Sequence, residues 1–176
     1  MILRYSANLA RKLKEFPNKS VPLDPNPYLD WTAHLFTAER TQVIIVANTV
    51  SFYCTVMYGR GMTSFSEFMR YWPGFLRDTM KYDGLQMIYD RIIGPAMGNF
   101  TISKPLNSSV TASINHFVEG AQVSLICQEL SPMEVAIKLN TGIWRPEKGL
   151  ISNKEVFSQM DLQHLATQKS EGSSKT

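Results

Sequence analysis

The stretch 31–58, WTAHLFTAERTQVIIVANTVSFYCTVMY, decides the fold. Its opening alternates: Trp31, Ala33, Leu35 and Thr37 fall on one side, and Thr32, His34 and Phe36 on the other. That period of two is a strand's. Ala38-Glu39-Arg40-Thr41 is polar enough to turn. Val43-Ile44-Ile45-Val46 is apolar on both faces, as an interior strand is. Asn48-Thr49 suits a tight reversal, because asparagine tolerates positive φ. Residues 50–58 then read as a third strand, ended by Gly59-Arg60-Gly61. Short connections between three such runs predict an antiparallel meander.

Outward from the meander, residues 2–5 read as a short strand. Ser6 can cap a helix whose Leu9, Leu13 and Phe16 share a face, with Arg11, Lys12 and Lys14 off that face. Pro17 is expected to end it, and Pro22, Pro25 and Pro27 to hold 17–29 as an extended connector. After the meander the pattern turns helical. Ser64-Phe65-Ser66-Glu67 is a capping box, and Phe65, Phe68, Met69 and Trp72 form a stripe. Pro73-Gly74 is expected to break or kink that helix, with Phe75, Leu76 and Met80 continuing the pattern. A helix is expected over 84–93, an edge strand over 100–103, and a long helix over 107–127 with Val110, Ile114, Phe117, Val118, Ala121 and Leu125 on one face. Ser131-Pro132-Met133-Glu134 starts a further helix ending near 140–142, and Ser152-Asn153-Lys154-Glu155 starts a last one. The expectation is therefore an α+β domain over 1–166. It has a small antiparallel sheet (the meander plus the N-terminal strand), helices segregated after it, and a polar tail over 167–176.

Composition agrees with one core-forming domain. The chain has 176 residues, 44% of them hydrophobic and 19% charged, which excludes a disordered charged tail. Its net charge of +3 is concentrated at one end, where Arg4, Arg11, Lys12, Lys14 and Lys19 face Glu15 alone. The longest apolar run, 43–47, falls far short of the ~20 residues of a membrane helix. With no secretory leader evident, a cytoplasmic location and no membrane partner are expected. Cys54 and Cys127 sit in apolar stretches and are expected to be buried free thiols.

Motifs for chemistry are absent: no phosphate loop, GxGxxG, GxSxG, His-Glu-x-x-His or Cys-x-x-Cys stands in the chain. No catalytic residue, metal or cofactor is predicted. Three constellations remain. His34, Arg40 and Asn48 could line a polar patch for an anion; the plainer reading makes them a strand-face residue, a turn residue and a turn former. Ser109, Ser113 and His116 share a side of the long helix, with Asn107 and Asn115 nearby. Its start can receive a phosphate or carboxylate, or simply be capped. Arg11, Lys12 and Lys14 make a small basic face, too small a footprint for strong nucleic-acid binding. Trp31, Phe36, Phe52, Trp72 and Phe75 have core spacing rather than that of base-stacking platforms. The preferred expectation is a non-catalytic binding or protein-interaction module, acting on a protein partner or a second copy of itself. An anion or nucleotide-like ligand near Arg40 is the alternative, and weak nucleic-acid contact through the first helix comes after it.

Several segments together resemble a known family. They are Ile2-Leu3-Arg4-Tyr5-Ser6 with its Lys/Arg-Leu helix, Asp30-Trp31-Thr32-Ala33-His34-Leu35 leading to Arg40, the apolar strand ending in Asn48, Ser109-Val110-x-Ala112-Ser113-Ile114-Asn115, and Leu139-Asn140. In that order, over about 2–146, they are similar to the bacterial family known as domain of unknown function 6933. The resemblance implies an intracellular bacterial protein and carries no activity, cofactor or partner. Trp31, Ala33, Arg40, Asn48, Ser109, Ser113, Asn115 and Asn140 follow its pattern. Ser108 and Thr141 stand where basic residues are expected, which implies that any anion binding through those positions is lost or relocated in this chain.

Overall fold

The computed structural model describes residues 1–143 and 151–160. β1 (Ile2–Tyr5) leads through α1 (Ala7–Leu13) and the proline-rich connector to β2 (Asp30–Ala38), β3 (Thr41–Asn48) and β4 (Cys54–Tyr58). Next come α2 (Phe65–Tyr82), the helical series α3 (Gln86–Ile88), a π-helical turn (Tyr89–Ile93) and α4 (Gly94–Ala96), then β5 (Thr101–Ser103). α5 (Ser108–Ile126), α6 (Pro132–Thr141) and the helix α7 over 153–160 complete the described chain.

The five strands lie in the order β4-β3-β2-β1-β5. β2, β3 and β4 form the expected antiparallel meander. β1, however, pairs in parallel with both β2 and β5. The class is α+β, but the sheet is mixed, and helices cover both of its faces instead of following it. The physical reason is the connection through α1: a parallel neighbour needs a crossover, and α1 supplies one.

Strand alternation divides the core in two. Trp31, Ala33, Leu35, Ile44, Val46 and Met57 pack with Leu9 and Leu13 of α1, with Phe68, Trp72, Leu76 and Met80 of α2, and with Phe157 of α7. Phe36, Val43, Ile45, Ala47 and Val56 pack on the opposite face with Val110, Ile114 and Phe117 of α5 and with Val135 and Leu139 of α6. Burying a large apolar side chain is worth about 1.5–3 kcal/mol, so both layers hold the sheet firmly.

Several local expectations are corrected. α1 ends at Leu13, because Lys14 takes a left-handed conformation (φ 55°) and caps it well before Pro17. β4 begins at Cys54, not at residue 50: the reversal spans 48–53, and the positive φ falls on Phe52 (63°). Such a φ is strained for a bulky residue. Phe52 is held in it by its own N–H to the Asn48 carbonyl at 2.9 Å and by stacking on Phe117. α2 runs unbroken through Pro73, since Phe68, Trp72, Leu76 and Met80 bury one continuous stripe across it. Phe75 points outward and is 37% exposed. Both cysteines are free, but Cys127 is exposed, because it lies on the outer side of the C-terminal end of α5. The 161–166 domain end and the 167–176 tail lie outside the described residues.

Candidate binding groove along the β2 edge

The two parallel partners of β1 create a divergence. The chain leaving β1 enters α1 on one face of the sheet, while the chain leaving β5 enters α5 on the other. In open sheets such a switch point leaves a crevice outside the carboxyl ends of the strands, where ligands bind. Here the crevice is lengthened by a mismatch in strand length. β1 is matched to β2 only up to Ala33, opposite Tyr5. β2 continues to Ala38.

Backbone parity shows which groups this uncovers. The Thr49 N–H donates to the Asp30 carbonyl at 2.9 Å, so even-numbered β2 residues exchange hydrogen bonds with β3 and odd-numbered ones face the β1 side. On that side Ser6 fills one rung: its N–H donates to the Ala33 carbonyl at 3.0 Å and its Oγ accepts from the Leu35 N–H at 3.4 Å. Further along, the Gln122 Nε2 of α5 donates to the Thr37 carbonyl at 2.8 Å. Between them, the Leu35 carbonyl and the Thr37 N–H face the groove with no strand opposite.

Two recesses sharing Asn8 flank this edge. One, of about 280 Å³, is lined by Ser6, Asn8, Thr32, His34, Thr111 and Asn115 among others. The other, of about 520 Å³, is lined by Asn8, Arg11, Lys12, Leu35, Thr37 and Gln42, together with Phe36. His34 is half-buried on the α5 face of β2, opposite Ile45 of β3. Burial lowers its pKa below the usual histidine value, so near neutral pH it is an uncharged imidazole that both donates and accepts. The hydroxyls around it are engaged: Ser6 caps Leu9, Thr32 Oγ1 shares a proton with Thr49 Oγ1 at 2.9 Å, and Thr111 donates to the Asn107 carbonyl at 3.0 Å. On α1, Arg11 donates to Asn8 Oδ1 and Lys12 Nζ donates to Gln42 Oε1 at 2.6 Å. Partial burial lowers the Lys12 pKa, a shift that the charge of Glu67 opposes. Among the described residues no carboxylate forms an ion pair with Arg11, Lys12 or Lys14.

The other predicted positions are elsewhere. Arg40 is exposed in the β2–β3 turn and lines neither recess. Asn48 is fully buried; its Nδ2 donates to the carbonyls of Pro27 (2.7 Å) and Asp30 (3.1 Å), and its Oδ1 accepts from Val50, Ser51 N and Ser51 Oγ. Ser109 is exposed in the first turn of α5, which Asn107 caps through Val110. Ser113 is half-buried. His116 is exposed, 3.4 Å from Glu119. Lys14 stands just past α1. The structure thus brings together one or two members of each predicted constellation: His34 of the first, Asn115 of the second, and Arg11 and Lys12 of the third. Among the described residues no three His, Cys, Asp or Glu side chains gather as metal ligands, and no helix is long and apolar enough to cross a membrane.

Sequence reasoning missed the buried polar scaffold. Arg4 is fully enclosed; its Nε and Nη2 grip both Asp30 oxygens at 2.8 and 2.7 Å, and it also donates to Val21 O, Pro22 O and Ser103 Oγ. A charge inside the apolar Ile2–Tyr5 strand was the available signal. Asn140 of α6 pairs with both backbone groups of Cys54, at 2.7 and 2.9 Å, closing part of the β4 edge. Asp83, also buried, accepts from the Tyr53 phenol at 2.7 Å and faces Lys154 at 3.5 Å.

A second concavity, of about 510 Å³, lies where β4, α2 and the start of α6 meet, with Tyr58, Arg60, Met62, Tyr71, Phe75 and Met133 among its walls. Comparison with curated proteins finds none that matches. Residues 2–155 do match a family model, and the chain belongs to the family described as Domain of unknown function (DUF6933).

Proposed function

We propose that this protein is a non-catalytic binding module whose ligand docks along the uncovered half of β2. One observation carries this reading. A central strand, which a sheet normally pairs on both sides, has no β1 partner over 34–38 among the described residues and runs there between two recesses that hold His34, Asn115, Arg11 and Lys12. A neutral imidazole, an exposed amide and two arginine or lysine heads recognise polar and anionic groups. The Ser6, Thr32 and Thr111 hydroxyls that line the recess with His34 are each held in a hydrogen bond to another group. The anion-binding alternative is supported at this place by Arg11 and Lys12 rather than by Arg40.

Fragment screening by amide chemical shift tests the reading on the isolated protein. Shifts clustering at Ser6–Lys12, His34–Thr37 and Thr111–Asn115 are the expected result. Fragments that move only other residues overturn it. The specific competitor is the concavity beside β4, where Tyr58, Tyr71 and Phe75 are 49%, 46% and 37% exposed. Aromatic and methionine side chains with an arginine are the composition of protein-contact hot spots, and the same screen registers it separately.

A further inference from the structure

We propose that the ligand of this groove is an extended acidic segment of a partner protein, which adds to the sheet as a strand parallel to β2 and in line with β1. The inference rests on the groove being the binding site and specifies what fills it. Its basis is the pattern of vacant groups. In a parallel ladder, one residue donates its N–H to the carbonyl of residue i−1 across from it and accepts from the N–H of residue i+1. Ser6 completes one such rung opposite His34, using its N–H for the Ala33 carbonyl and its side-chain oxygen for the Leu35 N–H. Its own carbonyl is already committed to the Ala10 N–H, because the chain has turned into α1. The next rung, opposite Phe36, needs a partner for the Leu35 carbonyl and the Thr37 N–H, and no hydrogen bond from the described residues supplies one. An antiparallel segment fits less well. It exchanges both hydrogen bonds with a single β2 residue, and the Leu35 N–H and Thr37 carbonyl are occupied by Ser6 and Gln122.

Charge selects the occupant. The recess beside Leu35, Phe36 and Thr37 is walled by Arg11 and Lys12, whose hydrogen bonds go to neutral oxygens of Ala7, Asn8 and Gln42. A carboxylate arriving on an added strand exchanges those contacts to neutral oxygens for ion pairs, in which donor and acceptor are both charged. Main-chain pairing with side-chain pockets is an established mode of peptide recognition.

The test is an array of eight-residue peptides alternating Glu with Val or Thr, beside matched peptides with Lys for Glu and a single-stranded oligonucleotide of equal charge. The Glu peptides are expected to bind, the Lys peptides not. The Thr37 amide should shift and gain protection from exchange on binding. Thr37→Pro removes that donor without touching the β2–β3 ladder and should weaken binding at least tenfold. Arg11→Glu/Lys12→Glu, at an exposed and a half-buried position of α1, should reverse the preference toward Lys peptides. Equal binding of both peptide sets, binding that survives both variants, or oligonucleotide binding in place of peptide overturns the inference. Fragments that map to the groove while no peptide binds overturn the strand inference and leave the binding-site reading standing; fragments that map elsewhere overturn both.

Discussion

Replacing Asp30 by Asn is the sharpest available perturbation of the scaffold behind the groove. The Asp30 carboxylate accepts from Arg4 Nε (2.8 Å), Arg4 Nη2 (2.7 Å) and the Asp24 N–H (3.0 Å), and both side chains of the pair are fully buried. The amide keeps the shape but removes the charge. The guanidinium is then enclosed with neutral acceptors alone, namely the new amide oxygen, the carbonyls of Val21 and Pro22 and the Ser103 hydroxyl, while the new NH2 faces donors where an oxygen accepted before. Removing one partner of a buried pair costs about 3–5 kcal/mol, a large part of the roughly 5–15 kcal/mol that holds a domain together. At about 2–4 °C per kcal/mol for a chain of this size, the melting temperature should fall by about 6–20 °C. Urea denaturation measures the loss, and limited proteolysis should show the 17–27 connector opening, since Val21, Pro22 and Asp24 are tied to this pair. The double variant Arg4→Met/Asp30→Leu leaves no charge buried at this site and should recover more than about 1 kcal/mol relative to additivity. An Asp30→Asn loss below about 1 kcal/mol, or strict additivity, would refute the reasoning.

Three other perturbations probe separate features. Asn140→Leu strips both side-chain partners from the Cys54 backbone and should cost about 2–4 kcal/mol, read as a lower urea midpoint and faster Cys54 amide exchange. His34→Gln tests the half-buried imidazole. Because the folded pKa is depressed, the unfolded chain takes up the proton first, so His34 costs stability as pH falls below about 6.5, with a slope of at most about 1.4 kcal/mol per pH unit. The Gln variant should show a shallower decline between pH 6.5 and 5, and an unchanged profile would count against the burial argument. A thiol reagent at pH 8 should modify Cys127 alone in the native protein, because Cys54 is buried and burial raises its pKa far above the usual thiol value. Denaturation should release the second equivalent.

Local periodicity carried the antiparallel strands, the N-cap at Ser64, the capping box at Ser131, and the core stripe of α5, because each is written within a few turns of chain; at Ser64 the reciprocal half is altered, since Glu67 accepts from the Thr63 N–H. The parallel insertion of β1 between β2 and β5 is not local. Nothing in Ile2–Tyr5 distinguishes an edge strand from one flanked on both sides, apart from the anomaly of Arg4. Asn48 and Asn140 were noticed for their place in a pattern but work as backbone surrogates, a role that depends on which carbonyls arrive beside them in space. His34, Asn115, Arg11 and Lys12 were each visible, yet their meeting along one strand follows from β1 being shorter than β2. That difference could be read from the sequence only if their adjacency were already known.

The placement of β1 also orders the folding reaction. Its pairing with β2 closes a short loop and the meander closes still shorter ones, whereas Ile2 meets Thr101 across roughly a hundred residues. Loop entropy therefore favours a nucleus built from the first sixty residues, with the β5 rung zipping on last. Until it does, the outer side of β1 is a bare template, and the step most exposed to misassembly is the capture of β5 rather than the formation of the hairpins.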